Sequence, residues 1–202
     1  MNDETPDIQT SPSSGEASSQ PDAGREPTAA KKKRGKISAK AATAALEARI
    51  GHKFADPALL ATAFTHVSAL KSARKRGDSY QRLEFLGDHV LGLVVSDMLY
   101  RAFPNADEGE LSKRLAELVR KESCADVAKS LGLTEDIKLG AVGAGAGARL
   151  RKSVLGDICE AVIGAIYLDG GYAAASQFVE RNWLERISGM RICRTPTWTA
   201  RS

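Results

Sequence analysis

The chain has 202 residues, 43% of them hydrophobic and 27% charged, which suits one domain with an apolar core. Its apolar runs are much shorter than the roughly 18 residues that a membrane-spanning helix needs, and its N-terminus has no apolar signal region. The 3 cysteines are widely separated and fit neither a disulfide framework nor a zinc site. We therefore expect a cytoplasmic globular protein without a membrane segment.

Residues 1–40 are predicted to be a disordered extension. They contain no aromatic residue and four prolines among serines and acidic residues, so they cannot bury enough apolar surface to offset the entropy of ordering. The net charge of the whole chain is only +4, but residues 31–40 carry six basic residues and no acidic one. This basic cluster could contact phosphates, although a solvated linker is the simpler explanation.

Residues 41–188 are predicted to be helical almost throughout. Asp56 followed by Pro57 is a typical helix start, Asp107 has the spacing of a capping box, and Gly132 is placed to end a helix. No segment shows the alternation of apolar and polar residues that is typical of a strand. The fold class predicted from these patterns is all-α.

Two helices, over residues 83–100 and 157–168, are predicted to lie in the core because they are apolar on nearly every face. Each nevertheless carries two acidic residues at helical spacing, so that each pair projects from one side of its helix. The four acids are Glu84 and Asp88 on the first helix and Asp157 and Glu160 on the second.

Burying these carboxylates costs several kcal/mol unless a basic side chain, a proton or a cation compensates each charge. No lysine or arginine stands three or four residues from any of the four acids. Asp157 could instead be favoured by its helix N-terminus, and Asp88 could pair with an arginine elsewhere in the fold. Taken together, the four favour a Mg²⁺ or Mn²⁺ site between two closely packed helices. The small residues that would permit this packing are Gly87, Gly92, Ala161 and Gly164.

Four stretches, in order along the chain, resemble the motifs of the ribonuclease III family. Residues 81–88 (Gln-Arg-Leu-Glu-Phe-Leu-Gly-Asp) resemble its signature helix, and residues 157–171 its second acidic helix. Residues 65–68 (Thr-His-Val-Ser) and 107–112 (Asp-Glu-Gly-Glu-Leu-Ser) resemble two shorter elements. The resemblance covers about residues 44–188.

The resemblance implies a homodimeric, Mg²⁺-dependent endoribonuclease that hydrolyses double-stranded RNA to 5′-phosphate and 3′-hydroxyl ends, in ribosomal and messenger RNA processing. Mn²⁺ is a possible substitute for Mg²⁺. By the same resemblance Glu84, Asp157 and Glu160 would bind the metal, and Asp88 and Glu160 would be catalytic. Asp88 would orient or activate the attacking water. Of the remaining positions, Glu108 matches an acidic residue of secondary importance, and Phe85 an aromatic residue of the dimer contact, unless Phe85 is simply a core residue.

Three features depart from the family pattern. Gln81 stands where many relatives have glutamate, and His89 replaces a commoner serine. Residues 189–202 look like an irregular tail and do not resemble the start of the double-stranded-RNA-binding domain that bacterial relatives carry. The expected organisation is an extension (1–40), a catalytic domain (41–188) and this tail. The alternatives are a non-catalytic RNA-binding relative and a purely structural helical scaffold.

Overall fold

A computed structural model describes residues 29–70, 78–140 and 148–192, and divides the chain into two units, Met1–Ser38 and Ala39–Ser202. These ranges contain helices and no strand, and Thr65 and Lys138 form an isolated bridge. The prediction of an all-α fold is confirmed. The helices are α1 (Ala29–Ile50), α2 (Pro57–Ala63), α3 (Gln81–Ala102), α4 (Glu108–Val119), α5 (Lys121–Ser130) and α6 (Ala148–Ile192), with short 3₁₀ turns at Val67–Ala69 and Leu133–Asp136. A kink at Gly171, whose φ is +75° and ψ −173°, divides α6 into two helical segments.

The predicted disordered extension falls mostly outside the described residues, which begin at Ala29. Residues 29–40 belong to α1. No helix in the described part of the chain is long and apolar enough to cross a membrane.

The helix boundaries follow the predicted capping residues. Asp56 accepts a hydrogen bond from the backbone N–H of Ala58 and places Pro57 at the start of α2. Asp107 accepts from the N–H of Glu110 at 2.7 Å, which satisfies a free donor in the first turn of α4. Gly132, with a φ of +65°, follows α5 in the left-handed conformation that glycine adopts without strain.

The most extensive helix packing among the described elements is between α3 and α6. The backbones meet at two glycines: a Cβ on Gly87 would overlap the carbonyl oxygen of Glu160, and one on Gly164 would overlap that of Leu83. Gly87 and Gly164 therefore permit the close approach predicted from the sequence. The prediction for Gly92 is wrong, because nothing lies within 4 Å of a Cβ at that position.

Helices α4 and α5 form a continuous apolar pattern in sequence but are two helices in the structure. Arg120 separates them with an extended backbone (φ −63°, ψ 153°). The last turn of α4 is held by the buried indole of Trp183 in α6, whose Nε1 donates to the carbonyl of Leu118 at 2.9 Å. Helix α5 then packs small buried residues against α6, and its first residue is Lys121.

Candidate functional site

Three of the four predicted acids meet where α3 packs on α6. Among the described residues, Glu84, Asp157 and Glu160 form a group whose nearest carboxylate oxygens all lie within 4.8 Å of one another. Asp157 and Glu160 are buried and Glu84 is half-buried. We call this group the acidic cluster. The distances between these carboxylate oxygens suit three ligands of one small divalent cation.

The local helix geometry explains why these acids converge. Glu84 lies in the first turn of α3, and Asp157 and Glu160 are one turn apart on α6, so they share one face. Gly87, one turn after Glu84, brings the two backbones together. Asp88, the fourth predicted acid, lies at the edge of the cluster with its side chain 54% exposed, near enough to Glu160 to affect its ionisation.

Two neighbours of the cluster were not predicted from the sequence. Lys121 places its Nζ 2.6 Å from Oδ1 of Asp157 and 3.9 Å from Oε1 of Glu84. The buried hydroxyl of Tyr80 donates a hydrogen bond to Oδ2 of Asp157 at 3.0 Å. Both oxygens of Asp157 therefore have a donor, which offsets part of the cost of burying this carboxylate.

Tyr80 is held in turn by the Thr-His-Val-Ser element. The N–H of Tyr80 donates to the carbonyl of Thr65 at 3.0 Å, and its ring lies 5.6 Å from that of His66. The imidazole of His66 accepts from the N–H of Ser68, which fixes the turn. The Thr-His-Val-Ser element therefore positions Tyr80, and Tyr80 contacts Asp157. Its link to the acidic cluster is thus indirect among the described residues.

Burial and mutual repulsion disfavour the ionised acids. Burial is the main reason that the pKa of Glu160 rises to about 7, and three carboxylates add to the rise: Asp88, Glu84 and Asp157. Burial and then Asp157 also raise the pKa of Glu84, while Lys121 partly opposes the change. Burial and the adjacent Asp157 raise the pKa of Tyr80, so its hydroxyl stays protonated and donates. Among the described side chains, three carboxylates face the single ammonium of Lys121, which leaves an excess of negative charge that a divalent cation would neutralise.

The pKa of Glu160 predicts a pH dependence of stability in the metal-free protein. Its folded-state pKa of about 7 lies above the ordinary value of 4.5, so between these pH values the folded state binds more protons than the unfolded state. We therefore expect the free energy of unfolding to fall as pH rises from 5 to 7, by about 2 kcal/mol from this group.

Urea denaturation in EDTA at several pH values, on the wild type and Glu160→Gln, measures this effect. Glutamine resembles the protonated acid and cannot ionise, so the variant should lose less stability over the same interval. Parallel curves for the two proteins would show that Glu160 ionises normally in the folded state.

The other predicted positions lie outside the cluster. Phe85 is 69% exposed, so the alternative of core packing is wrong for it. His89 lies beside Phe85, and its Nδ1 donates a hydrogen bond to the backbone carbonyl of Phe85 at 2.8 Å. Glu108 begins α4 and its carboxylate accepts a hydrogen bond from the hydroxyl of Ser112 at 2.9 Å, and Gln81 is exposed at the start of α3.

Comparison with known proteins identifies the family. A family model described as Ribonuclease-III-like matches residues 56–187. The chain is 74% identical over 189 residues to Ribonuclease 3 of Nitrobacter winogradskyi, covering 93% of this chain and 70% of the relative. It is 81% identical over 163 residues to Ribonuclease 3 of Bradyrhizobium diazoefficiens, covering 79% of this chain and 65% of the relative.

Solved structures of ribonuclease III nuclease domains are similar to this chain. The ribonuclease III nuclease domain of Campylobacter jejuni is 39% identical and superposes with a TM-score of 0.63, over 70% of this chain and 93% of that one. A second structure of that Campylobacter jejuni domain was reported for structural flexibility in a region involved in dimer formation. It is 39% identical and superposes with a TM-score of 0.62, over 69% of this chain and 97% of that one. The resemblance seen in the motifs is confirmed: the chain belongs to the ribonuclease III family and is an endoribonuclease.

Proposed function

We propose that this protein is a Mg²⁺-dependent endoribonuclease that cleaves double-stranded RNA. The observation that carries the proposal is the acidic cluster, in which three carboxylates from two core helices converge with one basic partner among the described residues. Such a site is costly to maintain for stability alone. Family membership supplies the reaction class, and the cluster supplies the place where it would occur.

The residues present fit a divalent cation. Their oxygens are the hard ligands that Mg²⁺ prefers, and their excess charge disfavours the empty cluster. In this proposal Glu84, Asp157 and Glu160 hold the metal, and Mn²⁺ can substitute for Mg²⁺. When bound, the cation neutralises charge that develops on the phosphate and acidifies water. Asp88, at the exposed edge beside Glu160, orients the attacking water and takes up its proton.

The reaction is hydrolysis of a phosphodiester. The water oxygen forms a bond to phosphorus and the bond from phosphorus to the 3′ oxygen breaks. The departing 3′ oxygen takes up a proton from solvent, which leaves 5′-phosphate and 3′-hydroxyl ends. A-form duplexes are recognised through shape, phosphates and 2′-hydroxyls, so the site needs little base-specific contact. The proposed role is processing of ribosomal, messenger and transfer RNA precursors in the cytoplasm, by a catalytic domain over residues 41–188.

Incubation of the 202-residue protein with a long RNA duplex tests this function, with the single strands of the same sequence as the control. We expect cleavage of the duplex in Mg²⁺ and none in EDTA, with products sensitive to a 5′-phosphate-dependent exonuclease. Binding of the duplex without cleavage would support the non-catalytic alternative. Neither binding nor cleavage would support the structural scaffold.

We further propose that the protein is a homodimer formed through the exposed face of α3. Phe85, Leu93 and Tyr100 are large exposed side chains at spacings of about two helical turns on this helix. Leu93 and Tyr100 also line a mainly apolar groove of about 650 Å³ between α3 and α4, together with Leu111 and Leu115. A protruding aromatic residue and a groove on one face are what a twofold, self-complementary interface requires.

Phe85→Ala is expected to raise the dimer dissociation constant about 30-fold or more, since buried aromatic residues dominate such interfaces. Leu184→Ala in α6 is the matched control, because Leu184 is also exposed (58%) but lies outside this face. Sedimentation velocity over a concentration series measures both. A monomeric wild type, or equal effects of the two changes, would contradict the proposed interface.

A further inference from the structure

We propose that Lys121 is an internal counterion of the acidic cluster that competes with the divalent cation and so sets the affinity of the site for metal. The inference rests on the proposed function, since it takes the cluster as the metal site. Lys121 lies between two of the three proposed ligands, at 2.6 Å from Asp157 and 3.9 Å from Glu84. Among the residues whose side chains the structure describes, Lys121 is the basic residue that pairs with the cluster.

The backbone of Lys121 is closely packed, while its side chain is partly exposed. The residue begins α5 directly after the break at Arg120, and its carbonyl oxygen would lie 2.8 Å from a Cβ on Gly156. Gly156 immediately precedes Asp157, so the close contact holds the two chain segments together. The Lys121 side chain is 55% exposed, so its ammonium has a path to solvent.

Lys121 and a divalent cation cannot both occupy the positions closest to the carboxylates. Oδ1 of Asp157 accepts a hydrogen bond from the ammonium of Lys121, and Oδ2 accepts one from the hydroxyl of Tyr80. A cation among oxygens that lie within 4.8 Å of one another would stand close to the ammonium, and repulsion is strong at a site partly shielded from water. The ammonium therefore moves away from Asp157 when metal binds, while Tyr80, which is neutral, keeps its bond.

This competition has two opposite consequences for removal of the charge. Without Lys121 the metal-free cluster would lose the basic partner that the described residues provide, so the metal-free protein should be less stable. Metal binding would no longer have to displace an ammonium, so the affinity for metal should be higher. A lysine that only orients Asp157 for the metal would have the opposite effect on affinity.

The test compares Lys121→Met with Lys129→Met in the full chain without RNA. Lys129 lies on the same helix with a similar exposure of 52%, but it pairs with the exposed Asp126 at 3.6 Å. For Lys121→Met we expect a lower melting temperature in EDTA and a dissociation constant for Mn²⁺, measured by calorimetry, about three- to tenfold below the wild-type value. Lys129→Met should change neither, and Lys121→Arg should keep the affinity near wild type.

An unchanged or weaker affinity of Lys121→Met for Mn²⁺ would overturn the inference about Lys121. That result would leave the proposed function intact as long as the wild type binds Mn²⁺. Failure of wild type and variants alike to bind Mn²⁺ would instead contradict the metal site itself.

Discussion

Glu160→Gln is expected to slow Mg²⁺-dependent cleavage of duplex RNA about 1,000-fold, with little loss of RNA affinity. The change keeps the volume of a buried side chain but removes a proposed metal ligand from a group of three. Losing such electrostatic stabilisation of the transition state has effects of this size in other enzymes. Most of the affinity for the duplex comes from phosphate contacts spread over a wider surface, so binding should persist.

Single-turnover cleavage and duplex binding in EDTA, measured on the same preparations, separate the two effects. Glu185→Gln is the control for the same chemical change, since Glu185 lies beyond the kink of α6 at Gly171, has an exposed side chain and is not part of the acidic cluster. This change should leave the rate of cleavage and the affinity for duplex RNA unchanged. Equal losses of binding and cleavage in a folded Glu160→Gln protein would indicate that Glu160 contacts RNA and does not hold a metal.

The elements that carry the cluster could be predicted because their signals are local. Helices apolar on nearly every face belong in a core, so an acid within them is conspicuous, and its position in the helical repeat follows from spacing alone. Glu84, Asp157 and Glu160 are conspicuous in this way, and the structure brings them together. Their roles as ligands stay a proposal, as does that of Asp88.

The neighbours of the cluster could not be predicted because they depend on how distant segments pack. Lys121 stands 36 residues before Asp157, and its place depends on the break at Arg120. Neither proline nor glycine marks that break in the sequence, and the apolar pattern continues through it. Tyr80 similarly reaches Asp157 across 77 residues. Helical spacing indicates only partners one turn away on the same helix, and Lys121 is not one of them.

The glycines show the same limit. Gly87 and Gly92 look alike in sequence, but only Gly87 faces the backbone of α6. The sequence also does not decide whether Phe85 is exposed, because an apolar residue on an apolar helix fits a core and an interface equally well. The structure shows that it is exposed. Sequence spacing identifies faces of a helix, whereas the packing of the whole chain decides which face is covered.

Gly87→Ala is expected to destabilise the metal-free protein by about 3 kcal/mol or more. The new Cβ would overlap the carbonyl oxygen of Glu160 and lie 2.6 Å from its carbonyl carbon and 2.8 Å from the nitrogen of Gly164. These are backbone atoms, so the clash cannot be relieved by a side-chain rotation, and α3 must move away from α6. Because that movement also separates Glu84 from Asp157, affinity for Mn²⁺ should fall in whatever protein remains folded.

Gly92→Ala in the same helix provides the contrast. Its Cβ would meet nothing within 4 Å in the single chain, so the higher helix propensity of alanine should raise the free energy of unfolding of the monomer by about 0.5–1 kcal/mol. Urea denaturation in EDTA compares the two variants with the wild type, and Gly164→Ala, whose Cβ would overlap the carbonyl oxygen of Leu83, should resemble Gly87→Ala. If alanine were tolerated equally at positions 87, 92 and 164, the two helices would have to be further apart, and the three carboxylates could not converge as the metal site requires.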